Sequence, residues 1–157
     1  MSVFKNLTTK ILLGMLLLFF AACSSDVPTQ TQTQNEVPDG LVGYWIGTNF
    51  VFTSQADSTI QVNLGQFGVV FSVTVNPDSS YSSTTQFLGQ TTVENGVISI
   101  QQNTLTFTQQ SDVNRSGTFS LNENSMSIRF EEEAFDFDQD GTDEPAILDI
   151  NLEKSVQ

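Results

Sequence analysis

Residues 67–75 read FGVVFSVTV, and the stretch alternates. Phe67, Val69, Phe71, Val73 and Val75 share one parity, and Gly68, Val70, Ser72 and Thr74 share the other. Successive side chains of an extended chain point to opposite faces, so the pattern predicts a strand with one face on a core. Asn76-Pro77-Asp78-Ser79-Ser80 reads as the turn after it, since Pro presets φ and Asp and Ser bond their own backbone. Tyr81, Ser83, Thr85 and Phe87 open the next strand. Glu94-Asn95-Gly96 reads as a hairpin, because Asn-Gly suits the positive φ of a type I′ turn. Residues 97–100, 104–108, 117–121 and 125–130 come next as short strands, punctuated by Gln101-Gln102-Asn103 and Asn122-Glu123-Asn124. At the end Leu148, Ile150 and Leu152 alternate with Asp149, Asn151 and Glu153. No segment after residue 23 carries a helical period. About eight to ten short strands with short connections predict an all-β domain, an antiparallel up-and-down barrel with a β-sandwich as the alternative. Closure of the sheet removes exposed edges, and a monomer is expected.

The N-terminal segment is of another kind. MSVFKNLTTK carries Lys5 and Lys10 and no acid, an apolar run fills residues 11–20, and Ala21-Ala22-Cys23 ends it. A basic start, a short apolar run and small residues make the layout of a secretory signal, expected over residues 1–22. The run is shorter than the roughly 20 apolar residues of a membrane-spanning helix.

Phe20-Ala21-Ala22-Cys23 resembles the lipobox of bacterial lipoproteins, with Phe20 where that family usually has Leu. The resemblance implies palmitate-type acylation of Cys23, cleavage just before it, and a membrane anchor. Cys23 is the only cysteine of the chain, so it has no disulfide partner. Each buried CH₂ contributes about 0.8 kcal/mol, and two acyl chains already make a durable anchor. Ser24 is not the Asp that often retains lipoproteins in the inner membrane. The resemblance therefore implies the outer membrane, with either face open.

Residues 24–39, SSDVPTQTQTQNEVPD, are polar and rich in Thr and Gln. Too little apolar surface is present to offset the entropy of ordering, so residues 23–39 are expected to be a flexible tether and residues 40–157 the domain. From Cys23 onward three basic residues (Arg115, Arg129, Lys154) face all 18 acids, a net of −15. Such a surface repels phosphate backbones, which argues against nucleic acid. It also resists anionic headgroups, leaving membrane contact to the lipid.

Leu41-Val42-Gly43-Tyr44-Trp45 looks like the Gly-x-Trp element that opens the first strand of lipocalins. The order downstream is similar to bacterial lipocalin-like domains: a strand into an Asn-Pro-Asp turn, then Tyr81, then residues 96–100, then residues 103–107. The resemblance covers roughly residues 41–154 and implies an eight-stranded barrel with Trp45 closing one end. The acid usually near the Gly-x-Trp is shifted to Asp39, and no disulfide is present.

The acids concentrate in EEEAFDFDQDGTDEP, residues 131–145. Asp136-Phe137-Asp138-Gln139-Asp140-Gly141-Thr142-Asp143-Glu144 resembles the Asp-x-Asp-x-Asp-Gly calcium loop. Alternate residues turn their oxygens to one side and Gly141 supplies the sharp bend. Thr142 offers its backbone carbonyl at the seventh loop position and Glu144 falls at the ninth. Asp136, Asp138, Asp140, Thr142 and Glu144 are thus candidate Ca²⁺ ligands. Ile147 stands where an EF-hand has its bidentate Glu, so affinity is expected at about 10⁻⁴–10⁻³ M. The other reading of the stretch is a solvated acidic hairpin with an Asp-Gly turn.

The chain has no His, and Cys23 is committed to lipid, which removes Ser-His-Asp and Cys-His arrangements. The carboxylates that a glycosidase would need lie on one local segment. No phosphate-binding glycine motif occurs. The chain is therefore expected not to be an enzyme. Two readings stand: a barrel that binds a small apolar molecule, its site residues unknown, or a structural or interaction protein of the cell surface with a calcium-stabilised acidic loop. A continuous cavity of about 300 Å³ or more favours the first. A filled interior beside an ordered acidic loop favours the second.

Overall fold

The computed structural model describes residues 37–111 and 113–155. The expected signal peptide, Cys23 and all but the last three residues of the expected tether lie outside the described residues. Nine strands are described: β1 (Gly43–Ser54), β2 (Gln61–Asn63), β3 (Val70–Val75), β4 (Ser80–Phe87), β5 (Gln90–Gln101), β6 (Thr104–Gln109), β7 (Asn114–Leu121), β8 (Ser125–Phe135) and β9 (Glu144–Lys154). From β3 onward each strand pairs antiparallel with the next, and β9 returns to pair with β1, which also pairs with β3. Eight strands thus close an up-and-down barrel, and the short β2 lies beside the second half of β1. The closed single sheet is consistent with the lipocalin-like barrel and leaves no room for the sandwich alternative. Among the described residues the only helical element is a 3₁₀ turn, Leu64–Phe67.

Two local expectations are corrected. The alternation starting at Phe67 becomes a strand only at Val70. Asn63 accepts the N–H of Gly65, and Gly68, at φ 81°, ends the turn, so Phe67 faces solvent at 61% exposure. Glu94-Asn95-Gly96 is not a hairpin either. It lies inside the twelve-residue β5, and the turn before it is Leu88-Gly89, both at positive φ. Gly96 pairs with Tyr81 on one side and Gln109 on the other. A Cβ there would collide with the backbone oxygen of Thr108 and stand 2.9 Å from Tyr81 Cε1. The glycine serves close approach of neighbouring groups, not a turn.

The interior has two ends. At one, Trp45 and Leu41 are fully buried, and the Trp45 indole N–H donates to the Leu41 carbonyl at 2.8 Å. Val75, Leu105, Met126 and Leu152 belong to the same buried core. Val37, which the sequence assigns to the tether, is 6% exposed and joins that core, so the ordered body includes it. It is one of two valines in a polar stretch, and burial against Leu41 and its neighbours gives it something to order against.

Two bulges prepare the other end. In β1 an extra residue enters between Gly47 and Asn49, whose partners on β9, Leu152 and Asn151, are adjacent. In β8 the register shifts between Phe130 and Glu133, opposite Leu148 and Ala146. An extra residue reverses the parity of the strand beyond it. Met126, Ile128 and Phe130 are buried before the β8 bulge, and Glu133 and Phe135 turn inward after it.

Candidate functional site

β4, β5, β7 and β8 deliver polar side chains to an otherwise aromatic end of the interior. A cavity of about 100 Å³ lies there, walled by Phe50, Phe71, Phe107 and Phe130, with Ser83, Thr85, Tyr81, Glu94 and Arg115 among its polar lining. Thr92, exposed at the surface, is also on its wall, so the cavity reaches solvent. The volume is far below the roughly 300 Å³ at which drug-sized ligand pockets begin, and most of the interior is filled. That volume encloses a group of a few heavy atoms rather than a whole acyl chain.

The polar groups form two pairs. Tyr81 donates its hydroxyl to Glu94 Oε1 at 2.6 Å. Burial of the phenol, then the bond to Glu94 and its charge, hold the Tyr81 pKa above the ordinary tyrosine range, with Arg115 opposing weakly. Arg115 directs Nε and Nη2 to Glu133 Oε1 at 3.0 and 2.7 Å, and its guanidinium stands 4.9 Å over the Phe130 ring. The rings meet in order: Tyr81 edge-on to Phe107 at 5.1 Å, Phe107 to Phe130 at 6.2 Å, and Phe50 to Phe71 at 5.8 Å.

The acidic hairpin between β8 and β9 sits at the same end of the strands. Phe50, Phe52, Phe135 and Phe137 form a run of neighbouring rings from the cavity wall to it, at 6.2, 4.7 and 5.0 Å. Four of the five expected ligands converge there. Asp136, Asp138, Asp140 and Glu144 each place a carboxylate oxygen within 4.8 Å of the others. That span is about twice a Ca–O distance, as ligands around one ion require, and the all-oxygen donor set suits a hard cation. Thr142 enters through its N–H, which donates to Asp140 Oδ1 at 2.8 Å. The N–H groups of Asp140 and Gly141 donate to Asp136, and that of Phe137 to Glu144 Oε2. These donors also offset the mutual repulsion of the carboxylates without an ion. Asp149 lies elsewhere, taking Arg129 Nη1 at 3.0 Å.

No protein-family model matches this sequence, and no curated protein matches it.

Sequence reasoning singled out neither Glu94, Arg115 nor Glu133 as a site residue. The signal for Arg115 was its parity, shared with Gly117, Phe119 and Leu121 on β7. Glu94 shares parity with Ile98 and Ile100, but the mistaken hairpin broke that count. Glu133 carried no signal, because a bulge turned it inward.

Proposed function

We propose that this chain is a lipid-anchored β-barrel of the cell envelope that binds a small molecule at the aromatic end of its interior and catalyses no reaction. At about 100 Å³ the cavity is smaller than a volume that favours a binding site by itself, and the observation that carries the reading is its lining: Tyr81, Glu94 and Arg115 converge between phenylalanine rings. A binding site of this kind is mostly apolar with a few placed polar groups. Its volume narrows the expected apolar ligand to one of a few heavy atoms, or to one group of a larger molecule. Native mass spectrometry of the protein purified from its own cell tests it: a retained small mass is expected, and its absence under gentle conditions contradicts the reading. The anchor rests on Phe20-Ala21-Ala22-Cys23, and Cys23→Ser should leave the membrane fraction or remain unprocessed. A variant processed and membrane-bound as before would remove it.

A second reading is favoured by the carboxylate group of the hairpin: Ca²⁺ orders this loop, and the domain works as a surface interaction module. Asp136, Asp138, Asp140 and Glu144 would hold the ion, with Thr142 adding its carbonyl. Ca²⁺ should raise the melting temperature more than equal millimolar Mg²⁺, which dehydrates reluctantly. Asp138→Ala with Asp140→Ala should abolish that difference. Equal shifts by both ions, unchanged in the double variant, would mark a solvated acidic turn.

A further inference from the structure

Glu94 and Arg115 both line the cavity, but they are not paired with each other. Arg115 is taken up by Glu133, with two donors on one carboxylate oxygen. Glu94 has the neutral hydroxyl of Tyr81 as its hydrogen-bond partner, and no salt bridge among the described residues reaches it. A single negative charge is thus left over beside a group of aromatic faces. A partly buried carboxylate without a cation is costly. Aromatic faces attract cations through their quadrupole, most strongly where water is displaced. An anionic guest would find Arg115 already paired with Glu133 and would meet the Glu94 carboxylate.

Resting on the reading of the cavity as a ligand site, we infer that the guest is a small organic cation, an alkylammonium head seated between Phe71, Phe107 and Phe130 with its charge against Glu94. The cavity volume of about 100 Å³ admits the head and leaves any longer substituent at the solvent-facing mouth beside Thr92. Tyr81 orients the carboxylate, and its raised pKa keeps it a donor at all physiological pH.

Three probes of one shape separate the possibilities. Choline, its neutral isostere 3,3-dimethylbutan-1-ol and the anion 3,3-dimethylbutanoate are titrated calorimetrically into the purified full chain in a non-ionic micelle. Salt is held near 0.15 M to screen the acidic surface. Choline should bind about tenfold more tightly than the alcohol. Glu94→Gln keeps an acceptor for Tyr81 and should cut the preference for choline severalfold, leaving only the share the aromatic faces supply. Asp138→Ala with Asp140→Ala should leave the preference for choline intact, which separates the cavity from the acidic hairpin. Equal affinity for choline and alcohol overturns the cation inference while leaving the cavity site standing, as does preference for the anion. Binding of none of the three, with a mass still retained from the native cell, overturns the cation inference alone; with no retained mass, the cavity reading falls too. The comparison of probes on the parent chain decides the charge question even where Glu94→Gln does not fold.

Discussion

The two ends of this barrel interior are built by the same eight strands and differ in what they are filled with. Around Trp45, large apolar side chains are fully buried and the one polar atom of the indole is satisfied by the Leu41 carbonyl. Around Glu94 and Arg115, aromatic rings pack about a small open volume, and the two charged side chains face it, Glu94 bonded to Tyr81 and Arg115 to Glu133. A filled apolar end gains the full benefit of burial and close contact. An end that keeps charges and open volume gives up part of that benefit, and in the proposed reading the retained groups serve recognition.

Truncation at the apolar end should have the largest effect. Trp45→Ala removes a fully buried side chain and should cost about 3–5 kcal/mol in urea unfolding, through lost burial and the cavity left behind. A loss under ~1 kcal/mol would break the contrast between the ends.

A smaller effect belongs to Glu133→Gln. Arg115 would lose its ionic partner, but its side chain is 37% exposed and water can replace part of what is lost. The expected cost is about 1 kcal/mol in the same assay. A cost as large as that of Trp45→Ala would make the ion pair, not the apolar end, the anchor of the fold.

The smallest change is Tyr81→Phe at neutral pH, with one hydroxyl lost. Its signature lies in alkali. The folded pKa of Tyr81 is raised by burial and by Glu94, so its stabilising contribution is whole below the unfolded tyrosine value of about 10. As pH rises past that value the unfolded chain loses its proton first, and stability falls until the folded phenol ionises. Tyr81→Phe should flatten that decline, read as melting temperature against pH. An unchanged alkaline slope would mean the phenol is not held in this environment.

The apolar end was legible in the sequence and the polar end was not, for a physical reason. Val75 and Leu152 belong to unbroken alternations, so parity alone assigns them to the core, and Trp45 was placed there by the likeness of its surroundings to a Gly-x-Trp strand start. At the other end bulges in β1 and β8 invert parity, and Glu133 cannot be told from Glu132 by counting. Gly96 misled because Asn-Gly is a strong local turn signal, whereas its place in β5 is set by Tyr81 and Thr108 from neighbouring strands. Phe67 misled because Gly68 allows a left-handed corner that alternation does not register. The acidic hairpin was read from local spacing, and its carboxylates converge because the loop is local.

In the proposed reading one end of the interior holds usable room. Ser83→Leu tests it most directly, since Ser83 is buried at the cavity wall. Unfolding free energy and retained mass would be measured on the same preparation of the full chain. Stability should be unchanged or higher, because apolar atoms enter open volume, and the retained small molecule should be lost. A loss of about 1–3 kcal/mol, as when a filled core is overpacked, with the small molecule still bound, would contradict it.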